Sequence, residues 1–337
     1  MMAGPLRIGV LGAARIARVF VEAVKPSSKV VVAAVASRDP ERAAAFARDT
    51  GIPRVHASYD ALFADPEIDA VYVPLPNNLH AQWSIRAVSA GKHVLCEKPL
   101  APSAAEARAM FDAAKRNGVY LVEGYPYRAQ PQTVKMRELL ADGAIGRVQM
   151  IQAAFGFPLT DAANIRMDPG LAGGALMDAG SYPVSLVRTI AGTAPHRVHA
   201  MSRWGASGVD TTTLATLEFA DGLLAQISCT FATARHRHAF IAGDAGSIAT
   251  TYFNDTSVAF PPLLEVKRGT GWDAGREVIE TAATSGFLAE AEAFHDLVRS
   301  GWAHWTGATP VESIDIAVTL EALAASTRQG VPVIVGE

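Results

Sequence analysis

Short apolar runs alternate with stretches of helical spacing along the first 123 residues. Leu6 to Leu11, Val30 to Ala36, Ala70 to Leu75, His93 to Cys96 and Val119 to Glu123 read as strands. Val30 to Ala36 is a continuous run of Val and Ala, which suits a strand buried on both faces of a parallel sheet. Between these runs, Arg15 to Val24, Glu41 to Arg48 and His80 to Ala90 carry helical patterns. Ser103 and Glu106 form a capping box that opens a further helix ending near Gly118. Strands alternating with helices predict a doubly wound parallel sheet of the Rossmann type.

Beyond residue 124 the pattern changes. Gln149 to Phe155, Arg197 to Arg203, Thr211 to Phe219 and Leu223 to Phe231 are strand-like. Asp221-Gly222 supplies the positive φ of a hairpin between the last two. Leu223, Ala225, Ile227, Cys229 and Phe231 alternate with polar residues, so one face of this antiparallel sheet lies on a core. Helices are expected at Tyr182 to Ala191, Phe287 to Arg299 and Ser313 to Gln329. The fold class is therefore α/β, with a Rossmann-type domain over residues 1–123 and an α+β domain over 124–337. The last helix is expected to pack back on the first domain.

The chain has 337 residues, longer than the roughly 250–300 at which one core stops growing, which agrees with two domains. A net charge of −3, with 19% charged residues, offers no basic stripe for phosphate contacts and excludes a nucleic-acid binder. The apolar runs are too short to span a membrane, and the first residues lack a signal-peptide pattern. Cys96 and Cys229 are far apart, each inside a strand-like run, and two reduced thiols point to the cytoplasm.

Gly9-Val10-Leu11-Gly12-Ala13-Ala14-Arg15-Ile16-Ala17 follows the first strand and opens the first helix. Gly12 takes the tight-turn position of a dinucleotide-binding turn, while Ala14 and Ala17 stand where two further glycines are usual. At the end of the second strand, Ser37 and Arg38 suit the 2′-phosphate of NADP better than the ribose hydroxyls of NAD, which remains the alternative. Asp39 has a plainer reading, as the cap of the helix that starts at Pro40.

Pro76-Asn77-Asn78-Leu79-His80, Glu97-Lys98-Pro99, Glu123-Gly124-Tyr125-Pro126-Tyr127-Arg128 and Gly173 to Pro183 complete the set. In this order the segments resemble the glucose–fructose oxidoreductase/inositol dehydrogenase/rhizopine-catabolism (Gfo/Idh/MocA) family, from about residue 6 to at least 190. The resemblance implies a second domain with an open, mostly antiparallel sheet, and a nicotinamide in a cleft between the domains. It implies that Gly12, Ala14, Arg15 and Ile16 cover the pyrophosphate, with Ser37 and Arg38 at the adenosine ribose. Pro76, Asn77, His80, Glu97 and Lys98 would line the path to the nicotinamide. Asp178-Ala179-Gly180-Ser181-Tyr182 departs from the common Asp-x-x-x-His pattern. The Tyr version resembles the branch with dimeric dihydrodiol dehydrogenase and D-xylose dehydrogenases.

Removing a hydride from an alcohol carbon requires a base for the hydroxyl proton. Tyr182 is the candidate acid/base, Lys98 the cation that assists it, and Asp178 lies one turn before Tyr182 on the same face. The plainer readings are a loop lysine and a packed tyrosine. Tyr125, Arg128, Phe157, Arg166 and Asp178 are candidate substrate contacts. His196 with His199 and His236 with His238 lack neighbouring ligands at metal spacing, so no metal is expected.

The expected activity is an NADP-dependent dehydrogenase of a sugar or polyol, with oxidation at the anomeric carbon of D-xylose or D-glucose foremost. Dihydrodiol oxidation, anhydrosugar or keto-sugar reduction, and a non-catalytic cofactor-binding regulator are the alternatives. Thr212, Thr216, Gln226, Ser228 and Thr230 give the second sheet a polar face with no helix to cover it. Family resemblance implies that such a face packs on another subunit, in a dimer or tetramer.

Overall fold

The computed structural model describes residues 4–257 and 260–336. Two compact units emerge: Met1–Ala101, Ala105–Ala129 and Ser285–Pro310 form the first, and Pro102–Ala104, Gln130–Thr284 and Val311–Glu337 the second.

In the first unit the chain runs β1 (Leu6–Leu11), α1 (Arg15–Val24), β2 (Val30–Ala36), α2 (Pro40–Thr50), β3 (Arg54–His56) and α3 (Tyr59–Phe63). It continues through β4 (Ala70–Val73), α4 (His80–Ser89), β5 (His93–Glu97), α5 (Ala104–Arg116) and β6 (Leu121–Gly124). The sheet order is β3-β2-β1-β4-β5-β6, all parallel, which is the doubly wound arrangement expected. Its order reverses between β1 and β4, so the loops after these strands flank the switch point where such sheets bind ligands. Those loops carry Gly12 and Pro76-Asn77. Val30 to Ala36 is almost wholly buried, as its unbroken apolar run requires.

The second unit begins with α6 (Pro131–Ala141) and β7 (Val148–Gly156), then reaches α7 (Ser181–Ala191) through a π-helical turn at Leu176–Gly180. Strands β8 (Arg197–Trp204), β9 (Asp210–Glu218), β10 (Leu224–Thr230), β11 (His236–Gly243), β12 (Gly246–Thr251), β13 (Leu264–Arg268) and β14 (Arg276–Val278) follow. After α8 (Gly286–Ser300), α9 (Pro310–Gln329) leads to β15 (Val333–Ile334). The sheet has nine strands in the order β14-β13-β12-β11-β7-β10-β9-β8-β15. All its pairings are antiparallel except β7 with β10.

The hairpin at Asp221-Gly222 forms as expected, with Gly222 at φ +91 and Phe219 N donating to Leu223 O at 3.0 Å. Leu223, Ala225, Ile227, Cys229 and Phe231 are all buried. The opposite face is less polar than the sequence suggests. Beside Thr216 and Gln226 it carries exposed Met201, Leu214, Leu224 and Phe240.

Helix α8, although far along the chain, belongs to the first unit. Its Phe287, Ala291, Phe294 and Leu297 enter the core that also holds Phe20, Val24 and Tyr72. Polar contacts anchor it there, Ser27 Oγ to Glu292 at 2.7 Å, Lys29 Nζ to Asp296 at 2.7 Å and Arg299 Nη2 to Gly4 O at 3.4 Å.

Candidate active site

The turn after β1 is shaped to approach an anion. Gly12 has φ +87, a conformation an L side chain adopts with strain, and a Cβ there would stand 3.2 Å from Leu75 Cδ2. Ala14 caps α1 without a side-chain hydrogen bond, and the first turn of the helix has no acidic residue. The N-terminal N–H groups of α1 thus keep their affinity for a phosphate. Arg15 is exposed and Ile16 packs against the core.

At the end of β2, Asp39 Oδ1 accepts from Glu41 N at 3.0 Å and Arg42 N at 3.1 Å, so this carboxylate is engaged as the cap of α2. Ser37 is buried, and its Oγ accepts from Asp39 N at 3.3 Å. Arg38 is exposed and forms no ion pair or hydrogen bond among the described residues. Burial raises the Tyr59 pKa and the charge of Arg38 opposes that rise, which sets Arg38 near Tyr59. Tyr59 Oη in turn lies 3.6 Å from where a Cβ of Gly12 would stand. One end of the sheet therefore offers a glycine turn, an open helix end and an unpaired guanidinium, the donor set for a dinucleotide with a 2′-phosphate.

Asn77 begins a short 3-10 turn after Pro76, and His80 opens α4. The His80 ring is fully buried, with Nδ1 2.9 Å from Pro99 O and Nε2 2.8 Å from Leu75 O. Burial lowers its pKa against the pull of these carbonyls, and the charge of Lys98 lowers it further. The ring braces the loop after β4 against the segment that carries Lys98. Glu97 is buried and its Oε1 accepts from Tyr72 Oη at 2.6 Å, while Lys98 is partly buried. Tyr125 and Arg128 are fully buried, the Tyr125 ring edge-on to Tyr127, so neither presents its side chain to solvent.

In the second unit, the π-helical turn carries Asp178 and runs directly into α7, whose second residue is Tyr182. Asp178 Oδ2 accepts from Arg166 Nε at 2.7 Å, so two separately predicted substrate residues form one ion pair. Tyr182 is buried, with its ring edge-on to Phe155 at 5.4 Å. Phe157 packs on both Phe155 and Phe231.

Sequence reasoning missed two neighbours of Tyr182. Asn254 Nδ2 donates to Tyr182 Oη at 2.9 Å, and Asn254 Oδ1 accepts from Arg237 Nη1 at 3.2 Å. The Arg237 guanidinium carbon lies 3.8 Å from the Tyr182 ring centroid, 4.7 Å from Tyr252 and 4.9 Å from Phe155. A signal for Arg237 did exist: it shares the β11 phase of Ala239 and Ile241, which marks a cation on the buried face. The flanking histidines drew attention instead, and their rings are simply neighbours at 5.8 Å. Asn254 sits in a loop where no periodicity applies.

Comparison with known proteins agrees along most of the chain. The model of an oxidoreductase family with an NAD-binding Rossmann fold matches residues 6–125, and that of the GFO/IDH/MocA C-terminal domain matches 133–249. The D-xylose 1-dehydrogenase (NADP(+)) 2 of Haloferax volcanii is 39% identical, over 97% of this chain and 99% of that protein. Trans-1,2-dihydrobenzene-1,2-diol dehydrogenase of Mus musculus is 35% identical over 72% of this chain and 73% of its own. Among solved structures, a 3-ketoreductase from Actinomadura kijaniata in complex with TDP-benzene and NADP superposes with a TM-score of 0.82 at 30% identity, covering 96% of this chain and 98% of the other. Aldose-aldose oxidoreductase from Caulobacter crescentus complexed with glycerol gives 0.89 at 26%, covering 98% and 100%.

Proposed function

The chain belongs to the GFO/IDH/MocA oxidoreductase family, and from that premise we propose that it oxidises an aldose, such as D-xylose or D-glucose, at the anomeric carbon with NADP. The observation that carries the substrate class is the 39% identity to an NADP-dependent D-xylose 1-dehydrogenase over nearly the whole of both chains. The exposed, unpaired Arg38 beside an Asp39 already engaged in capping supports NADP over NAD.

Bound NADP supplies the carbon that takes the hydride. The first unit holds it: Gly12, Ala14, Arg15 and Ile16 at the pyrophosphate, Ser37 and Arg38 at the adenosine ribose, and Pro76, Asn77, His80, Glu97 and Lys98 toward the nicotinamide. Of these, His80 acts from inside, its buried ring set between the Leu75 and Pro99 carbonyls. Tyr182 takes the proton of the C1 hydroxyl as the C1 hydride leaves, and returns it in the reverse direction. Lys98 assists by its charge. Arg166 and Asp178 hold sugar hydroxyls, with Phe157 as an apolar wall.

The exposed sheet face with Met201, Leu214, Leu224 and Phe240 supports assembly into a dimer or tetramer. Among the described residues no helix is long and apolar enough to cross a membrane. Both cysteines are free and buried, which supports a cytoplasmic location.

A panel of aldoses, polyols, trans-dihydrodiols and keto-sugars, each with NADP and NAD, tests the reading by absorbance of the reduced cofactor. Turnover of an aldose with NADP is expected. Activity confined to a dihydrodiol or a keto-sugar would reassign the substrate to the chemistry of the other relatives.

A further inference from the structure

Both partners of the Arg166–Asp178 ion pair are tied to one residue between them in the chain. Gly174 N donates to Arg166 O at 2.8 Å, and Gly174 O accepts from Asp178 N at 3.1 Å. The peptide groups of Gly174 therefore fix the two backbones whose side chains meet at 2.7 Å. Gly174 stands at φ +116, a conformation that glycine enters without strain and leaves as readily. Asp210, the first residue of β9, holds it there. Asp210 is buried, and its Oδ1 occupies the space that a Cβ on Gly174 would need. Its Oδ2 accepts from Leu176 N at 2.8 Å, on the same turn. From this geometry we infer that Asp210 is a positioning residue for the substrate, setting through the Gly174 turn the register of the Arg166–Asp178 pair. The inference rests on that pair holding sugar hydroxyls.

The carboxylate is itself fixed from the sheet. Thr213 Oγ1 donates to Asp210 Oδ2 at 2.8 Å, and Thr213 is fully buried. A hydroxyl has one hydrogen, so the 2.6 Å contact between Thr213 Oγ1 and Ser202 Oγ carries the hydrogen of Ser202. Ser202 and Thr213 stand opposite each other in the β8–β9 pairing. Donation thus runs from β8 through β9 and ends on Asp210, which passes the rigidity of two paired strands to a glycine turn. That rigidity bears on binding, because displacing a substrate-positioning group by about 1 Å can cost about 10²-fold. Gly173 closes the turn from the other side, since a Cβ there would run into the Arg166 carbonyl.

Steady-state kinetics with D-xylose and NADP test the inference. Asp210→Ala removes the anchor and should raise the D-xylose KM by about tenfold, the loss falling on KM more than on kcat. NADPH affinity, read by protein fluorescence, should stay near wild type. Asp210→Asn keeps an oxygen for Leu176 N and Thr213 and should recover most of the loss. A merely structural Asp210 predicts a lower melting temperature and fewer active molecules at an unchanged KM. An unchanged KM in Asp210→Ala, or no recovery in Asp210→Asn, overturns the inference. The same change in an Arg166→Met background is the sharper comparison. If Asp210 acts through the pair, it should raise KM little further there; a double variant showing the full product of the two losses overturns the inference. If circular dichroism shows Asp210→Ala unfolded, Thr213→Val decides. It loosens the carboxylate at constant shape and should raise KM about threefold, and an unchanged KM overturns the inference. Arg166→Met alone separates the two levels. A wild-type KM there, or a wild-type enzyme that turns over no aldose, sinks the sugar-site reading and this inference together. A raised KM in Arg166→Met beside an unchanged one in Asp210→Ala sinks the positioning role alone.

Discussion

Arg166 Nε lies 2.7 Å from Asp178 Oδ2, joining the 3-10 turn at Ile165–Met167 to the π-helical turn at Leu176–Gly180. The Asp178 side chain is 12% exposed and that of Arg166 39%, so the pair is wet on the arginine side and nearly dry on the other. An ion pair at such a boundary presents donors outward while its carboxylate is held in place. Replacing Arg166 by Met removes a charge-assisted partner worth about 1.5–3 kcal/mol. The aldose KM should rise by about 10–100-fold, with NADPH affinity unchanged. Steady-state kinetics alongside a binding titration check this, and an unchanged KM removes Arg166 from the sugar site.

Cofactor choice hangs on one exposed side chain. Arg38→Ala should weaken NADP binding by about 10–100-fold, one charge-assisted contact, and leave NAD binding nearly unaltered. Asp39→Ala should act differently, lowering stability by about 1 kcal/mol through the lost cap of α2 without preference between cofactors. Equal losses for NADP and NAD in the Arg38 variant would end the 2′-phosphate assignment.

The first unit was legible in the sequence because strands buried on both faces leave unbroken apolar runs. Leu6–Leu11 and Val30–Ala36 match the sequence reading to the residue for that reason, and Arg15–Val24 matches it through its helical spacing. Short or edge elements left no such trace: β3 has three residues, and β13 and β14 lie beside the Gly-rich stretch from Gly269 to Gly275. The parallel β7–β10 pair was invisible because pairing direction has no signature in one strand's alternation. At the site, motif residues were found by their order along the chain. The stacking of Arg237 left no trace because it depends on the sheet's register, and Asn254 left none because it meets Tyr182 from a loop.

Glu290, on α8, is 1% exposed and lies against Gly124, whose missing Cβ would stand 3.5 Å from Glu290 Oε2. Burial raises its pKa well above the ordinary value, and the charges of Glu97 and Glu123 add to the rise. A carboxyl that binds its proton more tightly folded than unfolded stabilises the fold fully below the ordinary glutamate range. That contribution fades as pH climbs toward the folded value. Glu290→Gln keeps the neutral shape and removes the titration. Its melting temperature should exceed wild type by more at about pH 8 than at about pH 5. A pH-independent difference would contradict the neutral carboxyl.

Assembly through the open sheet face predicts that a charge placed there disrupts it. Leu214 is 58% exposed and Met201 72%. Leu214→Glu should shift a dimer or tetramer toward monomer by light scattering, whereas a wild-type protein that is already monomeric at micromolar concentration rules the interface out.

The central claim is that Tyr182 carries the proton, and Tyr182→Phe tests it most directly. The variant keeps the ring edge-on to Phe155 and under Arg237 and removes only the hydroxyl. Turnover of the best aldose with NADP should fall by about 10²–10⁴-fold, the share general acid–base catalysis supplies, while NADPH binding stays near wild type. Lys98→Met should cost at least as much, and the double variant far less than the product of the two losses. A Tyr182→Phe enzyme with near-normal turnover would contradict the account.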